Sequence, residues 1–146
     1  MSSQYLGDWY TQYTIPATFS PEGLSSCTRA QYGSFENGTI SVYNIGSGPF
    51  GNFKSEICGW AEQADPENAP GDLIVYFYGN PGDYWILDTD FETFSAVYNC
   101  NDGPSGDTRF ELAYILTRDI YPSDETVFMS LVVIHNMFLI RIFLTD

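Results

Sequence analysis

Short runs of alternating apolar and polar residues recur along the chain, each closed by a cluster of Gly, Pro, Asn or Asp. Alternation at period two puts successive side chains on opposite faces and predicts half-buried strands. The runs are Asp8–Thr14, Cys27–Phe35, Thr39–Asn44, Lys54–Glu62, Asp72–Tyr78, Tyr84–Thr89, Thr93–Cys100 and Arg109–Thr117. Turn signals separate them at Ser20–Gly23, Asn37-Gly38, Gly46–Gly51, Asn68–Gly71, Gly79–Gly82 and Asn101–Gly106. Glycine and proline there supply the backbone angles that turns require. Eight evenly spaced strands with hairpin-length links predict an antiparallel meander, either a sandwich or a closed barrel.

The pattern changes after Thr117. Ser123 is placed as a helix N-cap, with Asp124 and Glu125 in the first turn, where the helix dipole favours acids. Val127, Leu131 and Ile134 then fall on one face at helical spacing. Asn136 is a C-terminal stop, and Phe138–Phe143 reads as a short ninth strand. No repeat, linker or second hydrophobic pattern intervenes. The expectation is one all-β domain over residues 1–146, with a C-terminal helix and a last strand.

Composition narrows the partners. With 19 Asp+Glu against 5 Lys+Arg, the 146 residues carry a formal net charge of -14. The five cations are scattered over Arg29, Lys54, Arg109, Arg118 and Arg141, too thin a set to neutralise a phosphate backbone or an anionic bilayer. Aromatic residues make up 17%, which argues against disorder despite the acidity. One histidine, His135, and three cysteines leave little for a His- or Cys-based metal site. Val127–Leu144 is the most apolar tract, but His135, Asn136 and Arg141 interrupt it, so no membrane span is expected. Met1-Ser2-Ser3-Gln4 runs into Tyr5-Leu6-Gly7 without a basic and apolar leader. Taken literally this is cytosolic, and it equally suits a mature form carrying a start Met. Asn37-Gly38-Thr39 is either a glycosylation sequon or simply a tight turn.

Particular residues carry a resemblance. Gly7-Asp8-Trp9-Tyr10 resembles the Gly-x-Trp signature of lipocalins, and Thr89-Asp90-Phe91 resembles their Thr-Asp-Tyr motif. Arg118 stands where that family keeps an arginine across the signature tryptophan. Tyr5-Leu6-Gly7, Ile15-Pro16, Asn37-Gly38-Thr39-Ile40, Tyr84-Trp85-Ile86-Leu87 and Ala96-Val97-Tyr98 are similar to the apolipoprotein D and bilin-binding branch, which includes the crustacyanin carotenoproteins. The resemblance implies an eight-stranded up-and-down barrel closed at its base by Gly7, Trp9 and Arg118. It also implies secretion. In this branch the cysteine at the place of Cys27 pairs near the C-terminus, and that at Cys100 pairs upstream of the first strand. The chain has no cysteine at either partner position, and Cys58 has no family counterpart.

The resemblance sets a register for the wall. It turns Thr28, Ala30 and Tyr32 inward, with Ile40, Val42 and Asn44, then Leu73, Val75 and Phe77. Ala96 and Tyr98 follow, and then Leu112, Tyr114 and Leu116. Tyr32, Val42, Asn44, Val75, Phe77, Tyr98, Tyr114 and Leu116 are the expected ligand contacts, with core filling the alternative near the base. An inward Asn44 amide needs a partner, either a ligand group or an ordered water. The implied function is non-enzymatic carriage of a hydrophobic small molecule: an astaxanthin-like carotenoid first, then a bilin, sterol or fatty acid. No covalent cofactor is expected. The same register turns Cys58 and Trp60 outward, an expected face for homo- or hetero-oligomers. A lipid-isomerising lipocalin is the enzymatic alternative, and it requires an inward reactive cysteine.

Overall fold

The computed structural model describes residues 3–15, 26–47, 54–78, 80–102, 106 and 109–144, without side chains at 15, 26–27, 80, 109–110 and 138–144. The turn at Ser20–Gly23, Pro16, most of Gly46–Gly51, half of Asn101–Gly106, Gly79, and the side chains of Cys27, Arg109 and Arg141 lie outside that set. A single 3-10 turn, Ser3–Tyr5, leads into β1 (Gly7–Ile15). Then come β2 (Ser26–Ser34), β3 (Ile40–Ser47), β4 (Lys54–Asp65), β5 (Ala69–Phe77), β6 (Asn80–Thr89), β7 (Phe94–Asp102) and β8 (Arg109–Thr117). Each strand pairs antiparallel with its successor, and β8 returns to β1, so the sheet is a closed barrel. Closure removes the exposed edges that a sandwich would leave. The first half of β1 pairs with β2 and the second half with β8, and an irregularity between Thr11 and Tyr13 bends the strand between the two.

Turn chemistry fixes the hairpins. Asn37 Oδ1 accepts from the Thr39 amide at 3.1 Å, and Gly38 takes φ +85°, which suits glycine. The β4–β5 turn forms at Asp65–Asn68 rather than at Asn68–Gly71, because Asp65 Oδ1 accepts from the amides of Glu67 and Asn68.

Helix α1 (Asp124–Leu144) crosses the outer face of β6, β7 and β8. Ser123 Oγ accepts from the Thr126 amide at 3.2 Å, the N-cap expected of it. The ninth strand is corrected: the helix continues through Phe138–Phe143 to Leu144. Asn136 costs a helix interior only a few tenths of a kcal/mol, roughly, and no Gly or Pro follows to break propagation. The buried face is also displaced from the expected one. Ser130 and Ile134 are buried, with Val133 and Met137 half-buried, whereas Leu131 is exposed beside Phe128 and Met129. Ser130 is accommodated because its hydroxyl donates to Thr126 O at 2.8 Å.

Two apolar clusters result. One fills the barrel base around Tyr5, Trp9, Ile40, Leu73 and Val97, and the other lies outside, between α1 and Ala96, Tyr98, Ala113 and Ile115. Replacing Ser123 with Ala removes the cap and is expected to lower stability by about 1 kcal/mol, read from urea unfolding. The helical far-UV signal should otherwise be retained.

Candidate functional site

The barrel is stoppered at one end. Trp9, fully buried, donates from Nε1 to Tyr5 O at 2.8 Å. The Arg118 guanidinium lies 3.8 Å over the Trp9 ring, where the face of the indole attracts a cation. Its three nitrogens donate to three separate segments: Nη2 to Gln4 O at 2.6 Å, Nη1 to Asp8 O at 2.9 Å and Nε to Phe91 O at 3.2 Å. Gly7 sits at φ +101°, a conformation that favours glycine, and a Cβ there would also press on Arg118 Nη1 at 3.2 Å. Thr89-Asp90-Phe91 builds the turn that offers the third carbonyl. Asp90 Oδ1 accepts from the amides of Glu92, Thr93 and Phe94, and Thr89 Oγ1 accepts from the Phe91 amide. Partial burial raises the Asp90 pKa, but the hydrogen bonds from Thr93, Phe94 and Glu92 outweigh it and hold the carboxyl below its usual range.

Above the plug, phenols are chained. Tyr5 Oη lies 2.9 Å from Ser95 Oγ and 3.4 Å from Tyr84 Oη, and Tyr84 Oη lies 2.8 Å from Tyr32 Oη. Burial pushes all three phenols above their ordinary pKa, and in Tyr84 the neighbouring phenols add to the rise. The Tyr32 and Tyr84 rings line a cavity of about 390 Å³, with Tyr5 packed in the core beneath them. That size suits one small molecule.

The structure brings together Tyr32, Val42, Asn44, Val75, Phe77, Tyr114 and Leu116 around this cavity, with Thr28 and Ala30. Gly59 makes room for Phe77: a Cβ at Gly59 would lie 2.6 Å from the Phe77 ring. Tyr98 is corrected. It pairs with Trp85 and Ala113 on the outer surface and packs beneath α1, as does Ala96. The inward residues of β7 are Ser95, Val97, Asn99 and Asn101, one position out of step with the expected register. A slip of one residue reverses every side chain.

Asn99, Asn101, Tyr84 and Thr11 are therefore cavity residues that the sequence reading missed. The signal was present but inverted: on β7 the more apolar face is the outer one, because a helix covers it. Asn99 shares a side-chain hydrogen bond with Tyr114. The Oδ1 atoms of Asn44 and Asn99 are both buried without a hydrogen-bond partner. Among the described residues no Lys or Arg lines the cavity. Arg29 is 3.6 Å from Asp8 on the outer wall, Arg118 is under Trp9, and Lys54 is exposed.

The family model for lipocalin-like domains matches residues 2–127. The chain belongs to the lipocalin family. This lipocalin is 35% identical to apolipoprotein D of Mus musculus over 131 residues, covering 85% of the chain and 64% of that protein. It is 32% identical to the Lazarillo protein of Schistocerca americana over 125 residues, covering 84% of the chain and 58% of that protein. It thus spans less than two thirds of either relative. Among solved structures, insecticyanin of the tobacco hornworm Manduca sexta superposes with TM-score 0.71 at 22% identity, over 92% of this chain and 72% of that one. Lobster apocrustacyanin A1 gives 0.67 at 24%, over 91% and 71%. These two likenesses bear on the fold.

Two outcomes follow for the plug and floor. Arg118→Met should destabilise the barrel by about 2–4 kcal/mol in urea unfolding, since one aromatic face and three carbonyls lose their partner. In the unfolded chain the phenols ionise near pH 10, while in the folded barrel they hold their protons higher. Stability should therefore fall as pH rises above about 10, with a shallower fall in Tyr32→Phe.

Proposed function

We propose that this lipocalin binds and carries one hydrophobic small molecule inside the barrel. The supporting observation is the cavity itself: a lumen with an aromatic floor, aliphatic and aromatic walls, hydroxyl and amide groups, and one acidic residue, Asp83, among its lining. Such a lining suits an apolar body with a few polar points. Membership of a family that includes apolipoprotein D, and the absence of a cation among the described lining residues, support the same reading. Within that class we favour a neutral carotenoid-type ligand over a bilin or fatty acid, whose carboxylates would meet no countercharge. By resemblance to its relatives, the protein works outside the cell.

The reading is of a carrier rather than a catalyst. Cys58 and His135 are exposed, and Cys100 packs in the outer cluster with α1, so none of the three reaches the lumen to act on a bound lipid.

Binding is tested by quenching of tryptophan fluorescence with astaxanthin, biliverdin and oleate. Saturation at one ligand per barrel is expected, with a spectral shift of the carotenoid, and Thr28→Trp, which fills the lumen, should weaken it at least about tenfold. Absence of saturation by any apolar ligand would overturn carriage. Tight oleate binding without a carotenoid shift would overturn the pigment preference alone.

A second observation favours association of barrels. Trp60 is 39% exposed and stacks on Tyr76 at 3.9 Å, and Phe35, 49% exposed, shares its shallow outer groove with Cys58. We propose this face as an oligomer contact. Sedimentation velocity should show a dimer or larger species that Trp60→Asp reduces to monomer, whereas a wild-type monomer at all concentrations would refute the contact.

A further inference from the structure

We infer that Asn37 is the acceptor of one N-linked glycan, and that this glycan decides whether the outer groove beside it is open to a second barrel. The first half rests on the extracellular reading above and the second on the barrel contact at Trp60. Asn37-Gly38-Thr39 is the single Asn-x-Ser/Thr triplet of the 146 residues. It forms the tip of the β2–β3 hairpin, where the Gly38 amide donates to Phe35 O at 3.0 Å and the Phe35 amide to Thr39 O at 2.9 Å. A short hairpin turn accounts for Asn37 and for Gly38 at positive φ, and of Thr39 it needs only the backbone. The Thr39 hydroxyl is directed at Asn37 instead. It donates to Oδ1 at 2.7 Å, beside the Thr39 amide at 3.1 Å.

A backbone amide only donates, so the Asn37 atom that meets it is the oxygen, and the orientation of the side-chain amide is fixed. Both turn bonds use Oδ1, and a sugar on Nδ2 breaks neither of them. Asn37 is exposed, and a Cβ built on Gly38 meets nothing within 4 Å, so the space around the tip is open. The transfer balances with a lipid-linked diphosphate oligosaccharide as donor, the sugar source of the secretory route. The Nδ2–C1 bond forms as the C1–O bond to the diphosphate breaks, the nitrogen gives up one proton, and the lipid diphosphate departs. Ile40, which opens β3, belongs to the cluster at the barrel base, so the tip stands at the closed end and a sugar leaves the cavity mouth free. It does not leave the groove free. Asn37 and Thr39 line that groove together with Phe35, Cys58 and Trp60. A bulky hydrophilic chain rooted at its rim occupies the space that a partner barrel needs. Association through Trp60 therefore belongs to the chain without a glycan.

The full chain is made in bacteria and, behind a secretory leader, in insect cells. Intact mass of the secreted chain should show one N-glycan, removed by a peptide N-glycanase with conversion of Asn37 to Asp. Thr39→Ser should keep the glycan, while Asn37→Gln and Thr39→Ala should abolish it with the far-UV spectrum retained. In sedimentation velocity the bacterial chain and the secreted Asn37→Gln chain should associate, and the glycosylated chain should stay monomeric at the same concentrations. An unmodified Asn37 in chain recovered from the medium would overturn the acceptor and leave the extracellular reading standing. Chain from the natural source that is unmodified, while the leader-directed chain is modified, would overturn the extracellular reading and leave the acceptor standing. A glycosylated chain that associates as strongly as Asn37→Gln would overturn the control of the groove. Monomers in every preparation would overturn the barrel contact, and that control with it.

Discussion

The stack of Arg118 on Trp9 is the contact on which the rest of this barrel depends. A sheet closed on itself has no edges, but it has two ends, and an apolar lumen open at both would be a wet channel. The guanidinium seals one end by covering an indole face and binding carbonyls of the N-terminal turn, β1 and the β6–β7 turn. These three segments are tied to the end of β8 by one side chain that cannot lose its charge. With the base fixed, the hydrogen-bonded phenols of Tyr5, Tyr84 and Tyr32 lie above it, and the cavity begins at Tyr32 and Tyr84.

Polarity in the lumen comes from hydroxyls, amides and the acidic Asp83, with no cation among the described lining residues. The -14 net charge belongs to the outer surface and turns, and among the described cations Arg29 and Arg118 are paired away from the lumen while Lys54 is exposed. Arg29 faces Asp8 on the outer wall and Arg118 closes the base. The described lumen is thus left with hydroxyls, amides and one carboxylate residue as its polar groups.

The barrel was legible in the sequence because its signals are local. Alternation marked all eight strands, and Gly7-Asp8-Trp9, Thr89-Asp90-Phe91 and Arg118 marked the base. Seven of the eight expected wall residues line one cavity because β2, β3, β5 and β8 each show one apolar face and one mixed face. β7 does not. Its outer residues Ala96, Tyr98 and Cys100 are more apolar than the inner ones, since α1 covers them, so the register that turned the apolar face inward pointed to the wrong side. The same helix defeated the reading of its own end. Phe138–Phe143 is rich in β-branched and aromatic residues, yet a helix already running needs a breaker to stop, and none is present. Both errors come from tertiary cover, which no window of a few residues contains.

The account stands most directly on where a ligand goes. Side-chain amide and methyl resonances followed by NMR during titration with an apolar ligand would settle it. The prediction is saturation at one molecule per chain, with the largest shifts at the NH₂ groups of Asn44 and Asn99 and the methyls of Val42, Val75 and Leu116. Shifts confined to the outer groove of Trp60 and Cys58, or to the exposed face of α1, would contradict a ligand carried inside the barrel.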